Sequence, residues 1–203
     1  MRTPTRTITL AILALLAAAP LAFGEPRPTN RPAKPPAAAP APAGPRTVVC
    51  GVVGLFAPDR EADFRAAVDT LLDVRLVAVN FDRGEATFSY DPAAAGFKGA
   101  APEKVVERLD QLVRNASGHL FSVRPRSATP ADKLAKVEVD VAPLDCKACA
   151  LAVHEIVCKI DGVSQAAVDM KTGHITARVD PEKVDGDKIR AALKAREVTV
   201  RQP

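Results

Sequence analysis

Cys146 and Cys149 stand three positions apart in Leu144-Asp145-Cys146-Lys147-Ala148-Cys149, between an alternating run and an amphipathic one. If a strand feeds a loop that breaks into a helix here, Cys149 falls in the first helical turn and Cys146 just ahead of it. Both sulfurs can then point at one ion. The unpaired N–H groups and the positive dipole end of a helix favour thiolate over thiol, the form that binds soft metals or attacks disulfides. The spacing alone leaves both chemistries open, and also a third reading in which the thiols are vestigial in a partner-binding module. Asp145 adds a further choice, since its carboxylate is either an additional ligand for Zn(II) or Cd(II), or the cap of the helix.

The elements that must position this pair are visible twice. At an offset of 89, residues 48–92 match 137–181 without a gap. Val48, Cys50 and Val52 fall on Val137, Val139 and Val141, Phe64 on Val153, and Leu71 on Ile160. Thr87, Asp91 and Pro92 fall on Thr176, Asp180 and Pro181. Lys136 to Val141 alternates with period two, which reads as a strand with one solvated face. Val153, Ile156, Val157 and Ile160 recur at helical spacing until Asp161-Gly162 stops the run. Lys171-Thr172-Gly173 and Asp82-Arg83-Gly84 read as hairpin turns. A second helix follows in each copy, from about Pro102 in the first and carrying Ile189 and Leu193 in the second. Final strands are expected near 120–123 and 198–200. The order is βαββαβ, so the fold class is α+β, two ferredoxin-like sandwiches in tandem. The expected boundaries are 47–125 and 135–203, with a 126–134 linker.

The second copy resembles the heavy-metal-associated domain. The likeness rests on Leu144-Asp145-Cys146 with Cys149, on Val153, on Ile160-Asp161-Gly162-Val163, on Val168-Asp169-Met170 with Gly173, and on Asp180-Pro181. That family includes copper chaperones, the periplasmic mercury-binding protein and the amino-terminal modules of metal-pumping ATPases. The resemblance implies that Cys146 and Cys149 bind one thiophilic ion, Cu(I), Zn(II), Cd(II) or Hg(II), and pass it on by ligand exchange without catalysis. It implies as partner a metal-transporting membrane protein or another chaperone. The first copy resembles the family in frame only, because Ala57 and Arg60 stand where the thiols should be. It is expected to bind no metal at this loop, and Arg60 to place a positive charge there instead.

The remaining candidates carry less. Cys50 takes the inward slot of Val139 and is expected to be buried and inert. Cys158 lies off the Val153-Val157-Ile160 stripe and is expected to be exposed or half-buried. His119, His154 and His174 are expected on the surface. The first strand of the first copy carries Val49 and Gly51 where the second has Glu138 and Asp140, so its open face is expected to be partly covered.

The amino terminus bears on localisation. Arg2 and Arg6 precede an apolar run from Ile8 to Ala19, and Ala22-Phe23-Gly24 offers small residues to a signal peptidase. Residues 1–24 therefore read as a signal peptide cleaved near Gly24, with the bacterial periplasm as the expected destination and no membrane insertion. Residues 25–46 hold eight of the eighteen prolines among alanines, a Pro/Ala-rich linker that acts as a semi-rigid spacer. The leader contributes +2 and the spacer +3 to a chain of net charge +4, which leaves 47–203 at −1. The basic balance thus lies outside the folded part and argues against a nucleic-acid partner.

Overall fold

The computed structural model describes residues 44–201. The signal peptide expected at 1–24 and nearly all of the linker expected at 25–46 lie outside the described residues. The first strand, β1, opens at Arg46 and runs Arg46–Val53. Its inward residues Cys50 and Val52 are buried as the alternation requires, while Val49 stays exposed.

The helix α1 (Arg60–Val68) buries Arg60, Phe64 and Val68, one residue every four. Strands β2 (Val74–Asn80) and β3 (Glu85–Tyr90) form the hairpin, and α2 (Pro102–Ala116) buries Val105, Leu109 and Val113 along one stripe. The strand β4 (Ser122–Pro125) begins two residues later than the sequence suggests. His119 takes a left-handed φ of 67° and the Ser117 hydroxyl accepts the Phe121 N–H at 3.1 Å, so a turn occupies the expected start. The sheet order is β2-β3-β1-β4, antiparallel throughout. Phe64 meets Phe88 and Phe121 edge-on at centroid distances of 6.2 and 5.2 Å at the centre of this core.

The second module repeats the plan. It comprises β5 (Ala135–Asp140), α3 (Lys147–Cys158), β6 (Val163–Val168), β7 (His174–Val179) and α4 (Gly186–Lys194). Its sheet runs β5-β7-β6, and the expected final strand is reduced to an antiparallel bridge between Val141 and Val200. With that bridge in the place of β4, both modules are ferredoxin-like βαββαβ sandwiches. Gly173 turns the second hairpin at φ +74°, where a Cβ would lie 2.2 Å from the Val141 carbonyl oxygen. Only glycine fits that approach.

The strand β6 is a sheet edge, whose outward N–H and C=O groups need partners. The first module supplies them. The Phe56 carbonyl accepts the Val168 N–H at 2.7 Å, and the Arg124 guanidinium donates to the carbonyls of Val163 and Ser164 at 2.8 and 2.9 Å. The Gln165 side-chain amide donates to the Leu55 and Phe81 carbonyls at 3.0 and 2.9 Å. Phe56 itself belongs to the second module's apolar core, with Val53 and Ala57 packed against it. The open face of β1 is therefore covered at its Val53 end and, over Gly51, by the Arg124 side chain, but Val49 remains 37% exposed.

Candidate functional site

Cys146 is the N-cap of α3, and its Sγ accepts the Cys149 N–H at 3.1 Å. The sequence fixes this geometry locally. Pro143 and Asp145 keep the chain out of the helix, the Leu144 N–H is held by the Met170 carbonyl at 2.8 Å, and Lys147-Ala148-Cys149 makes the first turn. The two cysteines have Cα atoms 5.3 Å apart and are joined as a disulfide. Cys146 is exposed and Cys149 half-buried, so the pair lies where another molecule can reach it.

The cap is the Cys146 sulfur and not the Asp145 carboxylate, which corrects the capping alternative for Asp145. Asp145 is exposed one residue before the pair. The Lys147 ammonium lies 4.0 Å from the Asp59 carboxylate of the first module, so the two equivalent loops face each other. On the other side of Cys149 an open groove of about 350 Å³ is walled by Leu144, Val153, Ile156 and Val198. Among the described residues, no cluster of three or more His, Cys, Asp or Glu side chains is arranged to hold a metal ion.

In the first module Ala57 and Arg60 occupy the equivalent loop, and the arginine does not display its charge. Arg60 is 7% exposed, its guanidinium paired with Asp63 and stacked over the Phe56 and Phe121 rings at 5.3 and 5.1 Å. Cation–π contact and the one carboxylate compensate a cation removed from water.

Two readings of single residues are overturned. His154 is fully buried rather than on the surface. It lies between the modules, with Nδ1–H donating to the Ala166 carbonyl at 2.7 Å and Nε2 accepting the Gly54 N–H at 2.9 Å. Burial lowers its pKa to about 4, so the imidazole is neutral. Cys158 is also buried, and its carbonyl accepts a hydrogen bond from Arg124. Both residues leave α3 on the flank that the first module covers, which the periodicity of one isolated helix does not register. Cys50 is buried as expected, and desolvation pushes its thiol up to about 11. His174 is partly exposed beside Asp140.

Residues 138–197, from within β5 to just beyond α4, match the family described as the heavy-metal-associated domain. This segment is a heavy-metal-associated domain. Cys146 and Cys149 lie within this segment, at the start of its first helix. No curated protein matches the chain. Among solved structures, the water-soluble region of the P-type ATPase CopA from Bacillus subtilis is similar at 18% identity, covering 79% of this chain and 93% of that one, with a TM-score of 0.31. The CopZ metallochaperone is similar at 25% identity over 33% of this chain and 100% of its own, with a TM-score of 0.32. Oxidised MerP from Ralstonia metallidurans CH34 is similar at 25% identity over 34% of this chain and 99% of its own, with a TM-score of 0.31. Among the described residues no helix is long and apolar enough to cross a membrane.

Proposed function

We propose that the protein is an exported carrier of a thiophilic metal ion, taken as cargo between Cys146 and Cys149 and handed on by ligand exchange. The observation that supports this reading is an accessible cysteine pair at the first turn of α3 within a heavy-metal-associated domain. Cargo binding requires the pair to be reduced. Two electrons and two protons from an external dithiol break the S–S bond, and the two protons leave again when the metal enters. The Cys149 N–H that already donates to Sγ of Cys146 then stabilises the charged sulfur. Two sulfurs complete the linear coordination of Cu(I) or Hg(II), whereas Zn(II) or Cd(II) needs further donors such as the Asp145 carboxylate, water or a partner.

Export is supported by the leader and spacer sequences, and the periplasm is the destination they fit. A metal-transporting membrane protein or a second chaperone is the partner that such a carrier serves, and the carrier performs no catalysis of its own. The test is a competition titration of the reduced full chain against chromophoric chelators of Cu(I), Hg(II), Zn(II) and Cd(II). One ion per chain is expected, and none in Cys146→Ser with Cys149→Ser. Failure of all four ions to bind would overturn the reading.

The disulfide itself favours a second reading, a thiol–disulfide exchange protein. Turnover in insulin reduction, with no metal retained by the reduced chain, would establish it instead.

A further inference from the structure

We infer that His154 is an acid-sensitive latch between the two modules, released when a proton occupies Nε2 in place of the Gly54 N–H. The inference rests on the module interface and is independent of the metal reading.

His154 has two ring nitrogens and both are assigned. Nδ1 faces the Ala166 carbonyl, an acceptor, so Nδ1 carries the proton. Nε2 faces the Gly54 N–H, a donor, so Nε2 must offer its lone pair. A second proton therefore meets a backbone donor head-on. The hydrogen bond that is lost is the one from α3 to the first module, whereas the bond to Ala166 stays within the second. Release is thus the change that relieves the conflict, because it brings Nε2 to water.

No group around the ring compensates a charge. From β4, Arg124 lies on the same interface and adds repulsion. From α3, Cys158 Sγ sits 3.6 Å from Nε2 as a neutral thiol, and Glu155 turns outward toward Lys159 at 3.3 Å. From β6 the Ala166 carbonyl is already engaged, and Gln165 is uncharged. From the loop after β1 comes the edge of the Phe56 ring, at a centroid distance of 6.4 Å, behind which stands the Arg60 cation.

The direction follows from proton linkage. The docked imidazole is held at about 4, below the ordinary 6.5, chiefly by desolvation. Docked protein then binds fewer protons than released protein between those values, so docking is full above 6.5 and weakens as pH falls toward 4. Each pH unit in that window weakens docking by up to about tenfold, about 300-fold across it. Release uncovers the β6 edge and separates Asp59 from Lys147 beside the cysteine pair, so acid opens the approach to that loop.

The test is nitrogen-15 NMR of the full chain between pH 7 and pH 4, reading the His154 ring nitrogens and the exchange of individual amides. Protonation of His154 is expected to coincide with loss of protection at Gly54 and Val168, while Phe88 and Ile175 inside each sheet stay protected. His154→Gln keeps an acceptor for Gly54 and a donor for Ala166 but does not titrate, and should keep Gly54 and Val168 protected at pH 4. Three results would overturn the latch: protection of Gly54 and Val168 in the native chain at pH 4, simultaneous loss at all four amides, or release of the variant at the same pH as the native chain.

Discussion

The Phe56 carbonyl accepts the Val168 N–H at 2.7 Å while the Phe56 ring lies inside the second module's core, 2% exposed. Phe56 stands immediately before Ala57, the position equivalent to Cys146. The loop that holds the cysteine pair in one module is, in the other, the piece that caps a sheet edge and fills a neighbour's core. With Ala57 and Arg60 at the positions of the thiols, this loop packs on the second module, and docking gives small sandwiches a shared apolar interior.

Phe56→Ala should therefore act on the second module although it alters the first. Truncating a buried phenylalanine costs about 3–5 kcal/mol. In urea denaturation we expect the second module's transition to move to lower midpoint and to separate from that of the first. A single transition with an unchanged midpoint would show that the ring does not couple the modules.

Gly173→Ala should be among the most damaging single changes in the hairpin. The residue holds φ +74°, and a Cβ would stand 2.2 Å from the Val141 oxygen, which is backbone and cannot swing aside. We expect a loss of at least ~2 kcal/mol in chemical denaturation. Gly99→Ala, also at positive φ but with open space around it, should cost only about 1 kcal/mol.

The two sandwiches were legible because both copies write them in the same places, and the 89-residue offset ties each strand to its counterpart. The proximity of Cys146 and Cys149 was legible from their spacing, and Ala57 and Arg60 show that the frame does not need thiols there. His154 and Cys158 were misplaced because they face another module, and helical periodicity reports only the stripe that packs on the helix's own sheet. The docking of Phe56 left no local trace either, as an apolar residue beside a strand end reads equally well as core of its own module. For Asp145 the sequence left ligand and cap both open, because a carboxylate is a usual N-cap group; the cap is instead the next residue's sulfur, which takes the Cys149 N–H.

The four cysteines should separate cleanly by reactivity. Desolvation raises Cys50 and Cys158 each to about 11, so at pH 8 only about one part in a thousand of either is thiolate. Cys146 and Cys149 are exposed and half-buried and sit at a helix start. After mild reduction, iodoacetamide at pH 8 should add two carbamidomethyl groups to the native chain, both on the peptide containing Cys146 and Cys149, and four to the chain in guanidinium. A third adduct on the native chain would mean that one of the buried thiols is reached through opening of its core.

If the pair carries a metal ion as proposed, Asp145 should decide which ions it retains. Two sulfurs satisfy a linear ion by themselves, so Asp145→Ala should leave Cu(I) affinity within about twofold. Zn(II) asks for four donors and accepts carboxylate oxygen, and loss of a neighbouring donor commonly lowers affinity by about tenfold or more. Asp145 is exposed one residue before Cys146 and does not cap α3, so its carboxylate can turn toward an ion without releasing a bond to the helix. Competition titrations of the reduced native chain and of Asp145→Ala measure the Zn(II):Cu(I) ratio directly. A ratio that falls about tenfold in the variant makes Asp145 the third donor. An unchanged ratio removes Asp145 from the donor set and leaves any further donor to a Zn(II) ion to water or a partner.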